Sequence, residues 1–206
     1  ELFQNSQLPI HLDIGSARGR FLLDLAVLQS EKNYLGVEIR KPLVIAAEKE
    51  RQSEGLTNLK FLFCNANVSL NHWLSNLPID LLENVSIQFP DPWFKRRHQK
   101  RRVLQPSLLI ALAESLRPTC TLFIQSDLLE VIEPMITLIE MSQCFNRVKG
   151  KEGFWLTQNP FPIASEREKY SLTNNLRIYR ALYSRNHSSV PELADLELEY
   201  KLNSKN

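Results

Sequence analysis

Glycine is scarce in this chain, with six among 206 residues, beside three cysteines and two methionines. The cysteines, Cys64, Cys120 and Cys144, are odd in number and widely spaced, and the four histidines are scattered. No CxxC pair or ligand cluster is present, so a zinc site and a disulfide framework are both excluded. No metal is expected, the thiols read as core fillers, and a reducing cytoplasm is the inferred setting. Apolar runs are also short. None approaches the roughly 20 residues that cross a bilayer, and residues 1–10 lack the basic-then-apolar pattern of a secretory signal. Because the chain opens almost on a strand, a longer natural N-terminus is expected to precede it. The last shortage is local. Residues 95–102, KRRHQKRR, hold six cations in eight positions and no acid, although the net charge of the whole is only +2. The tail after Asn186 leans the other way through Glu192, Asp195, Glu197 and Glu199. A dense positive cluster on a near-neutral protein marks a site rather than a solubility device.

What is present is an ordinary globular composition, 43% hydrophobic and 23% charged, at a length that suits one core. Strand-like and helix-like segments alternate, the pattern of an α/β fold with a mostly parallel sheet. Strands are expected at 9–14, 33–38, 58–63, 85–89 and 119–125. Helices are expected at 18–28, where Phe21, Leu22, Leu25 and Ala26 share a face, and at 43–53 behind a first-turn Pro42. Further helices are expected at 68–74, 106–116 and 128–141, the last despite Pro134. The stretch 145–183 reads as two more strands joined by a long proline-containing loop. One domain thus spans 1–185, and 186–206 reads as a polar appendage or loose tail.

Four segments bear on chemistry. DIGSARG at 13–19 lies between a strand and a helix, and two of the six glycines, Gly15 and Gly19, fall in it. Such a turn lets backbone approach a ligand beside the free N–H groups of a helix start, although an ordinary βα turn has the same look. Glu38 closes the next strand 19 residues after Gly19. A carboxylate at that distance takes ribose hydroxyls in nucleotide-binding α/β folds, which suits NAD and S-adenosylmethionine alike. Asn65 and Ala66 follow the third strand, where a polar side chain and a backbone group could meet an adenine; alone, Asn65 reads as a turn residue. FPDPWFK at 89–95 follows the fourth strand. Its two prolines stiffen the backbone around Asp91, at the strand end where ligands of open α/β sheets collect. Trp93 suits stacking on a base or capping the core. The cations of 95–102 come next and fit the phosphates of an anionic polymer.

Together, DIGSARG, Gly36-Val-Glu38, Phe89-Pro-Asp-Pro-Trp93 and the basic run resemble the bacterial tRNA (guanine-N7-)-methyltransferase family, from about Leu8 to Arg185. The resemblance implies a class I methyltransferase fold, Rossmann-like with about seven strands, S-adenosylmethionine as methyl donor, and guanine 46 of the tRNA variable loop as acceptor. By that resemblance Asp13, Glu38, Asn65 and Asp91 occupy donor-site positions, with Gly15, Gly19 and Ala66 beside them, and Asp91 is the catalytic candidate. Lys95 and Asp127 match RNA-substrate positions. Ser165-Glu-Arg-Glu168 stands where the family has threonine-x-x-glutamate, which adds Ser165 and Glu168 to the substrate side. Arg96, Arg97, Arg101 and Arg102 are the expected phosphate contacts. The chain departs from the family pattern at Asn65, where aspartate is common, and at Ala17, where a glycine is frequent. Three rival readings remain: a methyltransferase for protein or small molecules, which leaves the basic run idle, an RNA-binding module whose catalytic site has decayed, and, more distantly, a nicotinamide-dependent dehydrogenase, for which no hydride-site base accompanies the glycine turn.

Overall fold

A computed structural model describes residues 2–77, 80–148, 150 and 153–203; the side chain of Arg96 lies outside the described set. Seven strands form one sheet: β1 (Ile10–Ile14), β2 (Asn33–Glu38), β3 (Leu59–Phe63), β4 (Leu82–Gln88), β5 (Thr121–Ser126), β6 (Phe145–Val148) and β7 (Tyr179–Arg185). Their order is β3-β2-β1-β4-β5-β7-β6. The first five are parallel and β7 runs antiparallel to both of its neighbours. The chain reverses its direction of growth between β1 and β4, the switch point where such sheets open a crevice at their carboxyl edge.

Among the described residues six α-helices lie between strands, α1 (Arg20–Leu28), α2 (Lys41–Ser53), α3 (Ala66–Leu74), α4 (Pro106–Ser115), α5 (Leu129–Met141) and α6 (Glu166–Thr173), and a seventh, α7 (Leu193–Asn203), follows β7. Strand alternation divides the apolar side chains between two faces. Ile10, Leu12 and Ile14 point into a core shared with α3, α4 and α5. On the opposite face Tyr34, Leu59 and Phe61 pack with α1 and α2. Pro42 and Pro106 each sit in the first turn of a helix, where the missing N–H costs nothing. Pro134 lies inside α5 without ending it.

Helix α6, missed in the sequence reading, follows the irregular proline-containing stretch 159–164 and is begun by Ser165, whose hydroxyl accepts from the Glu168 N–H at 3.4 Å. Of the two alternatives for the segment after 185, the loose tail is corrected: the segment contains α7, which packs on α4 and α5 with Leu196 inside the core. An acidic sequence thus hides an apolar anchor, Leu196, flanked by the half-buried Val190 and Tyr200.

Candidate functional site

The carboxyl edge of the sheet carries a cleft of about 570 Å³, floored by the β1–α1 turn and walled by the ends of β2, β3 and β4. A second space of similar volume lies between α3 and α4, away from this edge. The first gathers the sequence candidates Asp13, Gly15, Glu38, Asn65, Ala66, Asp91, Arg101 and Ser165. Gly19, Lys95, Arg97, Arg102, Asp127 and Glu168 are not among its lining residues.

Gly15 and Gly19 serve different ends. Both have positive φ, +86° and +75°, the region that glycine enters without strain. A Cβ on Gly15 would meet nothing within 4 Å, so its backbone faces open cleft. On Gly19 it would strike the Phe61 ring. The first glycine clears room for a ligand, and the second lets α1 close on the sheet. Ala17 between them also has positive φ, +49°, which accounts for the glycine frequent there in the resembling family.

Glu38 is 3% exposed, and its carboxylate is surrounded by donors. Oε2 accepts from the Ala17 N–H at 3.0 Å and from Arg40 Nη2 at 3.3 Å. Oε1 accepts from the Arg40 N–H at 2.9 Å and from Arg40 Nε at 3.0 Å. Burial alone would raise its pKa, but the Arg40 hydrogen bonds and charge, with the Ala17 N–H, outweigh it and hold the group ionised. Sequence reasoning missed Arg40, whose half-exposed guanidinium also feels the charge of Asp91 across the cleft.

Asp13 is buried at the floor and behaves oppositely. Desolvation pushes its pKa up to about 6, against hydrogen bonds from Ser86 and Gln88 that pull it down. Ser86 Oγ donates to Asp13 Oδ1 at 2.5 Å and lies 2.9 Å from His11 Nε2. With its one proton given to Asp13, Ser86 accepts from His11, which fixes the Nε2–H tautomer. Burial holds that imidazole neutral, with a pKa lowered to about 3.

From Asp13 a polar chain crosses the sheet one strand at a time. Gln88 Nε2 lies 3.4 Å from Asp13 Oδ1, and Gln125 Nε2 donates to Gln88 Oε1 at 2.7 Å and to Glu168 Oε2 at 3.1 Å. Arg180 Nη2 donates to Glu168 Oε1 at 2.7 Å, and Asn159 Nδ2 to Oε2 at 2.5 Å. Glu168 is therefore interior, 2% exposed. It fastens α6 to β5 and β7, while Ser165, Glu166 and Arg167 from the same segment reach the cleft rim. Asp127 stands one turn away and is committed to Arg167 at 2.7 Å and to the Ser171 hydroxyl at 3.1 Å. Asn65 combines the two roles open to it: its side chain caps α3 through the Asn67 N–H at 3.1 Å, and the residue lines the cleft.

Across the mouth, Phe89 takes a positive φ of +47° before Pro90. Backbone strain of this kind gathers at functional sites. Asp91 beyond it is exposed and makes no side-chain hydrogen bond among the described residues. The basic run forms a 3₁₀ helix, Arg96–Arg101, with Lys95 as its N-cap. Arg101 lies 5.0 Å over the Trp93 ring, and His98 meets that ring edge-on at 5.5 Å. Trp93 is thus part of a basic–aromatic rim rather than of the core, and from the described side chains of the basic run Lys100 and Arg101 line the cleft, beside Arg20, Arg40 and Arg167 from other segments.

Among the described residues no group of His, Cys, Asp and Glu is placed to hold a metal ion, and no helix is long and apolar enough to cross a membrane. The family described as "Putative methyltransferase" matches residues 7–181. A tRNA (guanine-N(7)-)-methyltransferase of Prochlorococcus marinus (strain MIT 9313) is 62% identical over 197 residues, 96% of this chain and 84% of that protein. Among solved structures, the 16S rRNA methyltransferase KamB shares 16% identity at a TM-score of 0.59, covering 88% of this chain and 90% of that one. A "putative methyltransferase from streptococcus mutans in complex with SAH" shares 10% identity at a TM-score of 0.53, covering 89% and 90%. At such identities these two establish the fold alone, that of class I methyltransferases. With sequence match, fold and cleft in agreement, the chain belongs to the tRNA (guanine-N7-)-methyltransferase family.

Proposed function

We propose that this protein transfers a methyl group from S-adenosylmethionine to N7 of a guanine in tRNA, position 46 of the variable loop, in the cytoplasm. The observation that carries this reading is the cleft itself. It joins a glycine-opened turn, a buried ionised carboxylate and an exposed aspartate beneath a basic–aromatic rim. The residues fit a nucleoside donor: the missing Cβ of Gly15 leaves space above the turn, Glu38 is held ionised for a ribose diol, and Asn65–Ala66 edge the adenine side. The SAH named for one structural relative accords with that fit.

Bound there, S-adenosylmethionine supplies an electrophilic methyl on a sulfonium. The protein's part is alignment and exclusion of water. Guanine N7 has a lone pair and no proton at neutral pH, so no general base is needed. Asp91 therefore acts by position. Its exposed carboxylate accepts from the guanine N1–H and exocyclic amine, and offsets the positive charge that grows on the ring. Lys100 and Arg101, with Lys95, Arg97 and Arg102 behind them, hold the RNA backbone. Incubation with tRNA and labelled donor, followed by digestion to nucleosides, should yield labelled 7-methylguanosine; label in another nucleoside, or in protein only, overturns the reading. A protein or small-molecule acceptor would leave the basic–aromatic rim without a partner.

A further inference from the structure

A second basic–aromatic surface lies apart from the cleft. Arg147 on β6 places its guanidinium 3.3 Å over the Phe154 ring and 5.4 Å from those of Trp155 and Tyr183. Phe154 meets Trp155 at 4.9 Å, Trp155 meets Tyr179 at 5.0 Å, and Arg177 lies 5.0 Å over Tyr179. The five side chains from Arg147 to Arg177 are thus one unbroken series. Core packing accounts for Trp155 and Tyr179, which are half-buried, but not for its two ends. Phe154 is 55% exposed, and Arg177 is exposed without an ion-pair partner among the described residues. Arg147 pairs through Nη1 with Glu140 at 3.2 Å, while its Nε and Nη2 are buried and have no acceptor among the described residues.

Position ties this series to the cleft. Tyr179 is the register partner of Ser126 at the end of β5, and the next residue, Asp127, holds Arg167 of the cleft rim. The Leu156 N–H donates to the Arg180 carbonyl at 3.0 Å and pins the Phe154–Trp155 loop alongside β7. The pairing of arginine with an aromatic ring repeats that of Arg101 with Trp93 at the cleft. Exposed Glu130 and Glu133 on α5 turn a phosphate chain away from that helix. They leave it the carboxyl edge, where Asp127 is neutralised and Arg167 and Arg177 stand exposed.

We infer that the Phe154–Trp155–Tyr179 surface, with Arg177, is a second RNA-contacting platform. It would stack an unpaired base and take phosphate beyond the target nucleotide. The inference rests on the tRNA reading above. A cleft of about 570 Å³ holds a donor and one base, so the remainder of any RNA must cross the rim. Arginine stacked on exposed rings is the chemistry that receives unpaired nucleotides whatever their sequence.

The test is direct binding of an unmodified tRNA transcript at several salt concentrations, with donor affinity and melting temperature measured on the same samples. Phe154→Ala should weaken tRNA binding about 5- to 150-fold at unchanged donor affinity, as loss of one stacked base does, and Phe154→Trp should restore it to within about twofold. Arg177→Ala, an exposed change that spares the fold, should lower the log–log salt slope by roughly 0.7–0.9. Wild-type tRNA affinity in both alanine variants overturns the platform while leaving the methyl-transfer reading intact. Loss of self-association in Phe154→Ala at unchanged RNA affinity would assign the surface to a protein contact and likewise overturn it. A wild-type protein that methylates no tRNA would sink the parent reading and this one together.

Discussion

Replacing Glu168 by glutamine isolates the polar chain behind the cleft. Its carboxylate and the Arg180 guanidinium are 2% and 7% exposed and 2.7 Å apart. Oε1 accepts from Arg180, and Oε2 accepts from Gln125 and Asn159. Glutamine has one acceptor oxygen for these two sides. In either orientation the buried Arg180 loses its counter-charge. If the amide NH₂ faces Arg180, two donors also oppose each other; if it faces Gln125 and Asn159, two amide donors lose their acceptor. Leaving one member of a buried ion pair uncompensated costs about 3–5 kcal/mol. For a domain of this size that lowers the melting temperature by about 6–20 °C. The double variant Glu168→Gln/Arg180→Met removes the stranded charge and should recover part of the loss. Thermal and urea unfolding of the single and double variants decide the matter. A Glu168→Gln melting point within about 2 °C of wild type, or a double variant less stable than the single, would refute the argument. Glu168 would then be free to act on the RNA directly, where the family resemblance puts it.

Asp13→Asn should alter the pH dependence of stability. Folding raises this acid's pKa from its ordinary value to about 6, so the penalty is absent below pH 4, grows between pH 4 and 6, and stays full above. The stability of the variant relative to wild type should rise over that window by up to about 3 kcal/mol; urea titrations showing a flat difference would sink the assignment. Arg40→Met removes two of the four N–H donors on Glu38. Donor affinity should tighten at pH 8, where a competitor for the carboxylate is gone, and weaken at pH 5, where burial now favours the neutral acid; calorimetry showing loss at both pH values would contradict this. Neutralising Arg97, Arg101 and Arg102 together should lower the salt slope of tRNA binding by roughly 0.7–0.9 for each phosphate no longer neutralised, with donor affinity unchanged. Inosine in place of the target guanine lacks the exocyclic amine and should react about 1–3 kcal/mol more slowly; equal single-turnover rates would remove Asp91 from base recognition.

The strands and the first five helices are legible because their apolar periodicity is strong and their ends carry proline, glycine or a polar cap. Helix α6 is not, since Glu166–Thr173 holds four charged residues and buries only Glu168 and Ser171. Its start is nonetheless written in Ser165, with an acid three residues on, the spacing of a capping box. Read only as a family signature, that pair hides the helix it begins. Helix α7 is concealed in the same way, for its one buried side chain, Leu196, sits among acids.

The site divides along a physical line. Residues whose place in the cleft follows from backbone geometry or strand position, such as Gly15, Glu38 and Asp91, are found by spacing, because the sheet fixes where a strand end points. Arg40, Gln88, Gln125 and Arg180 act through partners from 2 to 75 residues away in sequence, and no local pattern encodes such pairings. A polar residue in a strand is read by default as solvent-facing, yet Gln125 is fully buried and bonded to three neighbours. In the interior most polar groups are paired, and stripping one of its partner costs more than the bond itself. Each member of the chain from Asp13 to Arg180 is therefore intelligible only with its partners in place. The same interdependence gives α6 its fixed seat, so the cleft rim formed by Ser165, Glu166 and Arg167 inherits its position from side chains behind it.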